Sequence, residues 1–103
     1  MPTIEQLESL LKADPDDTFV LYGLAQEHAK QGRHAEAIGY YDRVLGLDAS
    51  ELYAYYHKAL AQRELDDEPA AIETLRAGID HAKQASDPKA LGELSALLDE
   101  IEP

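Results

Sequence analysis

Residues 21–41 read LYGLAQEHAKQGRHAEAIGYY, two runs of apolar residues with helical spacing on either side of a glycine. In both runs apolar residues recur three and four positions apart, and no stretch alternates apolar and polar residues for long enough to predict a strand. Gly32 suits the left-handed conformation that commonly ends a helix. The segment therefore predicts a helical hairpin, with one helix over about 18–31, a turn at Gly32 and a second helix over about 35–47.

The same pattern returns along the chain after 34 residues. Shifting the sequence by this length aligns Ile4 with Ile38 and Ile72, Leu7 with Tyr41 and Leu75, Leu11 with Leu45 and Ile79, Ala25 with Ala59, Ala37 with Ala71, and Tyr22 with Tyr56. Small residues that recur at one place permit close helix approach, and large apolar residues that recur at another fill the space between helices. A fixed period of this length indicates a repeat architecture.

The rest of the chain shows the same helical spacing and short connections. Thr3 and Gln6 form a capping box at the start of a helix predicted over about 3–13. An aspartate followed closely by a proline, at 67–69 and again at 87–88, is typical of a helix start. Further helices are predicted over about 51–65, over about 69–84 and from about 88 onward. The 103 residues thus predict one all-α domain of six short helices.

The repeated unit resembles the tetratricopeptide repeat family, whose 34-residue unit is two antiparallel helices. The motifs that carry the resemblance are Leu21-x2-Leu24-Ala25-x2-His28 with Ala37-x3-Tyr41, and Tyr55-x2-Lys58-Ala59-x2-Gln62 with Ala71-x3-Leu75. The second unit departs from the family at Lys58, where leucine is usual, and at Gln62, where an aromatic residue is usual. The resemblance implies a TPR-like α-solenoid of antiparallel helix hairpins, with a half repeat at 1–17, repeats at 18–51 and 52–85, and a C-terminal capping helix at 86–103.

Charge and composition exclude several classes of function. Twenty-one acidic residues against nine basic ones give a net charge of −12, so nucleic acid and an anionic membrane surface would both repel the protein. No apolar run reaches the roughly 18–20 residues that span a bilayer, and the N-terminus does not resemble a signal peptide, so we expect a cytoplasmic protein. The absence of cysteine excludes disulfides, thiolate zinc sites and cysteine nucleophiles.

The remaining polar residues form no catalytic or metal-binding pattern. The spacing of the four histidines places no two of them on one helical face beside a fixed carboxylate, and we expect His28 to be half-buried and the other three to lie on the surface. The serines lack a neighbouring histidine, no glycine-rich phosphate loop is present, and the acidic runs are too short for a calcium loop. The sequence therefore predicts neither an enzyme nor a metal site, and no cofactor.

The aromatic residues indicate a binding surface on the first helix of each unit. Tyr53, Tyr56 and Leu60 follow one another at i, i+3 and i+7, on a different side of the helix from the stripe that the family buries. The resemblance implies that this side lines a concave groove that holds peptide segments. Tyrosine suits such a surface because it offers a large contact area at little cost in rotamer entropy. The candidate peptide-binding residues are Phe19, Tyr22, Gln26, Tyr53, Tyr56, His57, Leu60 and Arg63.

Two other interpretations of this surface stay open. The C-terminal helix could cover Tyr56 and Leu60 as ordinary core, or the same face and the repeat ends could mediate homo-oligomerisation. Where co-chaperones of this family carry a cationic clamp for a terminal carboxylate, this chain has Tyr22, Gln26, His57, Asp87 and Leu91. A neutral aromatic groove on an acidic body favours a basic or apolar segment instead. The leading hypothesis is a non-enzymatic module that binds a peptide segment of a partner protein.

Overall fold

The computed structural model describes residues 2–103, and this part of the chain contains six α-helices. They are α1 (Ile4–Ala13), α2 (Thr18–Lys30), α3 (His34–Leu47), α4 (Leu52–Glu64), α5 (Glu68–Gln84) and α6 (Pro88–Ile101). Each helix begins within one residue of its predicted start. The predicted all-α class is confirmed.

The helices pack in chain order as a stack of hairpins. α2 pairs with α3 and α4 pairs with α5, while α3 packs on α4 and α5 packs on α6. α1 packs against α2 at one end, and α6 also reaches α4 at the other. The molecule measures 41 × 29 × 21 Å, because each hairpin adds to the stack along one direction. The TPR-like hairpin architecture is confirmed.

Three helices end in the same tight turn, in which one residue takes the left-handed conformation. These residues are Gly32 after α2 (φ 77°), Asp66 after α4 (φ 60°) and Ser86 after α5 (φ 54°). At each turn the next N–H donates to a carbonyl five residues back, for example from Arg33 to His28 at 2.9 Å. This Schellman arrangement satisfies carbonyls that the helix end leaves free. The predicted role of Gly32 is confirmed.

Side chains cap the helix starts as the sequence predicts. The Gln6 N–H donates to the Thr3 hydroxyl oxygen at 3.1 Å, and the Thr3 N–H donates to Gln6 Oε1 at 2.8 Å, which completes the capping box. The carboxylates of Asp17, Asp67 and Asp87 accept backbone N–H groups at the starts of α2, α5 and α6. These acids therefore stabilise helix N-termini.

The alanines that recur with the 34-residue period lie in the buried core clusters between helices. Ala25, Ala37, Ala59 and Ala71 are all fully buried. Large residues fill the space around them, and the largest fully buried side chains are Tyr41, Leu21, Leu24, Leu75, Leu94, Leu97 and Val44. The repeat thus alternates small and large side chains to reach close packing.

The two polar departures from the family pattern in α4 both have partners. Lys58 Nζ lies 2.6 Å from a carboxylate oxygen of Asp42 on α3, so this ion pair connects successive hairpins. Gln62 is buried, and its Oε1 accepts a hydrogen bond from the Thr74 hydroxyl on α5 at 2.7 Å. Because each polar group is matched, neither position carries the cost of an unsatisfied buried group.

Candidate peptide-binding surface

The structure divides the eight candidate residues between α2 and α4. Phe19, Tyr22 and Gln26 lie on α2, and the other five lie on α4. Phe19 is 86% exposed and Tyr53 is 36% exposed, whereas the remaining six side chains are half-buried. Phe19 and Tyr53 are therefore the two candidate side chains that are most accessible to solvent.

His57 joins the aromatic residues of the two helices. Its ring centroid lies 6.1 Å from that of Tyr22 on α2 and 5.5 Å from that of Tyr56 on α4, edge to face in both cases, and it stacks on Tyr41 at 6.2 Å. Such pairs are favourable contacts in addition to the apolar area that they bury. Three of the candidate residues therefore form one continuous aromatic strip across the α2–α4 junction.

The strip is electrically neutral at ordinary pH. Burial lowers the pKa of His57, which disfavours the imidazolium form. Burial raises the pKa of Tyr41 to about 12, and burial, followed by the proximity of Tyr41 and Glu51, also raises the pKa of Tyr22. The His57 imidazole and the Tyr22 and Tyr41 hydroxyl groups therefore remain uncharged and can serve as hydrogen-bond donors or acceptors.

The expectation that His28 alone is half-buried is wrong, because all four histidines are half-buried. His28 stacks on Tyr40 at 5.4 Å and accepts a hydrogen bond from Arg33 Nε at 3.0 Å. His81 stacks on Tyr55 at 5.5 Å. Each stacked imidazole is covered by an aromatic ring from another helix, a contact that spacing along one helix cannot reveal.

Helix α6 borders the C-terminal half of the surface. Tyr56 and Leu60 pack partly against the core that α4, α5 and α6 share. Arg63 on α4 pairs with Glu100 on α6 at 3.6 Å. Desolvation and the nearby carboxylates of Glu93 and Asp87 raise the pKa of Tyr53, which lies beside the start of α6. At this end, then, the candidate residues are partly engaged within the chain.

The N-terminal half of the surface opens into a cleft of about 430 Å³. Its lining residues are Pro2, Leu7, Thr18, Phe19, Tyr22, Gly23, Gln26, Glu27 and Glu51. Three of them are candidate residues, and the sequence analysis missed the others. The 34-residue shift could have identified Gly23, because it aligns Gly23 with the candidate residue His57.

Residues 2–103 contain no group of three histidine, aspartate or glutamate side chains arranged to hold a metal ion. None of the helices in this same range is both long and apolar enough to cross a membrane. The lining of the cleft combines apolar side chains with the carboxylates of Glu27 and Glu51. Such a lining can make van der Waals contacts and hydrogen bonds with a ligand.

A family model described as tetratricopeptide repeat matches residues 4–51 and 22–90 of the chain. The chain belongs to the tetratricopeptide repeat family. A TPR domain protein from Salinibacter ruber, solved by NMR, is 32% identical, with 86% of this chain and 90% of that chain covered and a TM-score of 0.79. The TPR2B domain of yeast Sti1, solved in a complex with pHsp70, is 23% identical, with 95% and 78% covered and a TM-score of 0.87.

A longer relative shares the repeat sequence. Superkiller protein 3 of Schizosaccharomyces pombe is 29% identical over 72 residues, which make up 70% of this chain. This TPR chain spans only 5% of the length of that relative. TPR domains generally mediate protein–protein interactions, and the fold is generally a non-enzymatic scaffold.

Proposed function

We propose that this TPR protein is a non-enzymatic module that binds a peptide segment of a partner protein along the first helices of its repeats at 18–51 and 52–85. The observation that carries this function is the aromatic strip Tyr22–His57–Tyr56, continuous with an open cleft beside the exposed Phe19 ring. A preformed surface of this kind binds at little cost in its own ordering. The proposed module acts in the cytoplasm.

The charge of the protein favours a basic or apolar partner segment. The net charge is −12, and the cleft lining contains two glutamates and no lysine or arginine. Arg63, the cationic residue among the candidates, is paired with Glu100. A segment with aromatic and basic side chains would match both the neutral strip and the acidic surroundings.

A terminal carboxylate is a poorer ligand for this surface. The TPR2B domain of Sti1, which shares this fold, was solved in a complex with pHsp70. In this chain no cation lies on the first helices at the places of a carboxylate clamp, where Tyr22, Gln26, His57, Asp87 and Leu91 stand. A carboxylate there would be desolvated without a charged partner, which is unfavourable.

The binding experiment uses an array of 12-residue peptides of varied composition. We expect the bound peptides to be enriched in aromatic, arginine and lysine residues, and the best of them to be titrated by fluorescence anisotropy. Phe19→Ala and Tyr53→Ala should each weaken binding by about tenfold or more, as aromatic anchors do. Leu65→Ala is the matched control, because Leu65 is 49% exposed and lies outside the surface.

Two outcomes would contradict peptide binding. One is an array in which no peptide binds, or in which Leu65→Ala weakens binding as much as Phe19→Ala does. The other is a concentration-dependent dimer in sedimentation of the protein alone that Tyr53→Ala abolishes, which would assign the surface to homo-oligomerisation. Self-repulsion between two copies of charge −12 favours the monomer.

A further inference from the structure

The N-terminal cleft occupies the same place in its hairpin as a much smaller cavity does in the next one. Four of the residues that line the cleft are Leu7, Gly23, Gln26 and Glu27. The 34-residue shift converts these four into Tyr41, His57, Leu60 and Ala61, and all four line a cavity of about 100 Å³ between α2, α3 and α4. The two spaces are therefore equivalent surfaces of successive repeats.

A helix makes the difference between the two spaces. At the second position residues of α2 and α3 close the space against α4: Tyr22 packs edge to face on His57, Ala29 and Tyr41 line the cavity, and Ala61 is buried. At the first position, within residues 2–103, α1 and α3 pack on α2, and no residue of a helix before α1 lines the cleft in the way that Ala29 of α2 lines the smaller cavity. The space there remains open at about 430 Å³, with Phe19 on its rim.

We propose that this cleft binds an α-helix of a partner protein, in the place that α2 takes against α4, through a face that carries both apolar and basic side chains. A helix fits because the chain itself already places one on the equivalent surface. Its apolar residues would enter between Leu7, Gly23 and Tyr22, in the manner of a helix laid into a groove. This site lies at the end of the stack and rests on the proposed function, because Phe19, Tyr22 and Gln26 line the cleft and also belong to the candidate peptide-binding residues.

The negative charge of the cleft favours a basic partner helix. Glu27 and Glu51 line the cleft without a lysine or arginine beside them in the lining, and Glu51 precedes α4 without using its side chain as a cap. Lys30, on the same helix, places its Nζ 3.5 Å from Glu27 Oε1. The second oxygen of the Glu27 carboxylate can therefore accept a hydrogen bond from a cation of the partner. A second copy of this chain would instead bring another charge of −12 to an acidic cleft. A basic amphipathic helix is therefore the complementary partner.

The probe is a synthetic amidated 14-residue peptide with leucine on one helical face and lysine elsewhere, and its scrambled sequence is the composition control. Gly23→Leu tests the site, because a Cβ at Gly23 meets the Leu7 methyls at 3.5 and 3.6 Å, an ordinary contact, and the longer side chain then fills the cleft. Gly39→Leu is the matched control, since a Cβ there meets nothing within 4 Å. Anisotropy titrations should show binding weakened about tenfold or more by Gly23→Leu and unchanged by Gly39→Leu.

A paired charge variant tests the choice of a basic helix. Glu27→Gln with Glu51→Gln should weaken the lysine-bearing peptide by about threefold or more at low salt, and the difference should shrink at 0.5 M NaCl, where exposed charges are screened. Glu36→Gln on the exposed face of α3 should have no such effect.

Other outcomes separate this site from the peptide-binding strip. Tyr53→Ala should leave binding of the helical peptide intact, because Tyr53 does not line the cleft. If Tyr53→Ala weakens binding of the array peptides alone, the result concerns only the candidate surface on α4. Equal binding of the parent and Gly23→Leu, or equal binding of the scrambled peptide, would overturn the helix site even if the strip binds peptides. A dimer of the protein alone that Gly23→Leu dissociates would overturn it too, because the occupant would then be a second copy.

Discussion

A methyl group added at Gly78 would overlap with Tyr55 on the neighbouring helix, and Gly78→Ala is therefore expected to destabilise the protein. A Cβ at Gly78 would lie 2.7 Å from Tyr55 Cβ and 2.9 Å from Tyr55 Cγ, well inside van der Waals contact. These atoms are next to the α4 backbone, so no rotation of the tyrosine side chain removes the overlap. Leu94 stands at 3.4 Å on the same side, so α5 and α4 must move apart.

The Tyr55 ring is held in place by its own contacts. It is 7% exposed, its hydroxyl donates to the Ala49 carbonyl at 3.0 Å, and it stacks on His81 at 5.5 Å. Overpacking of this kind costs about 1–3 kcal/mol. Replacing glycine by alanine inside a helix raises the free energy of unfolding by roughly 1 kcal/mol, because alanine has the higher helix propensity. The net effect of Gly78→Ala should be a loss of up to about 2 kcal/mol, or up to roughly 15 °C in Tm for a domain of this size.

Urea denaturation followed by circular dichroism measures the change, with Gly39→Ala and Gly46→Ala as controls. Both control glycines lie inside α3, and a Cβ at either meets nothing within 4 Å. The controls should therefore become more stable by about 0.5–1 kcal/mol, the ordinary gain of alanine over glycine. If Gly78→Ala matched or exceeded the stability of the controls, the close α4–α5 crossing and the register that produces it would be refuted.

Three further predictions concern single side chains. Ser86→Gly should stabilise the protein by about 0.5–1 kcal/mol, because Ser86 has a φ of 54° that glycine adopts without strain, and an unchanged or lower urea midpoint would contradict this. Tyr56→Ala should lower the free energy of unfolding by about 1–2 kcal/mol, because Tyr56 is half-buried, whereas Tyr41→Ala should lower it by about 3–5 kcal/mol, because Tyr41 is fully buried. Equal losses for the two variants would show that Tyr56 is a core residue. Burial lowers the pKa of His57 from 6.5, so as pH falls below 6.5 the unfolded chain binds the proton first and stability declines. The free energy of unfolding should therefore fall more between pH 7.5 and 5.0 in the parent than in His57→Phe, and parallel profiles would refute the burial of His57.

The elements of this fold could be predicted because their signals are local. The Thr3–Gln6 box, the aspartate caps and the glycine at residue 32 each act within a few residues, and the structure contains all of them. The buried alanines also follow from the 34-residue period, because a repeated contact requires a repeated small side chain. The 34-residue period aligns Asp66 with Gly32, but the residue types themselves do not mark Asp66 or Ser86, because a left-handed conformation is uncommon at a residue other than glycine.

The candidate surface could be predicted only in part. The period placed Tyr22 and Tyr56 on equivalent faces, but the spacing did not show that His57 would join them or that Arg63 would pair with Glu100. Both contacts cross between helices that are distant in sequence. The cleft beside Gly23 was missed for the same reason, because it is defined by Leu7 on α1 and Glu51 before α4.

The sequence by itself determined six helices, their ends, the repeat that stacks them and the acidic charge of the whole. The tertiary structure decided how far apart neighbouring helices lie. The 34-residue shift aligns Leu21 with Tyr55 and Val44 with Gly78. The α2–α3 hairpin therefore packs two side chains of medium size, whereas the α4–α5 hairpin packs the large Tyr55 side chain against a glycine, which has no side chain. The helical period is a local property of the backbone and is identical in both cases, whereas the distance between two helices depends on the summed volume of side chains from both, which only the assembled packing determines.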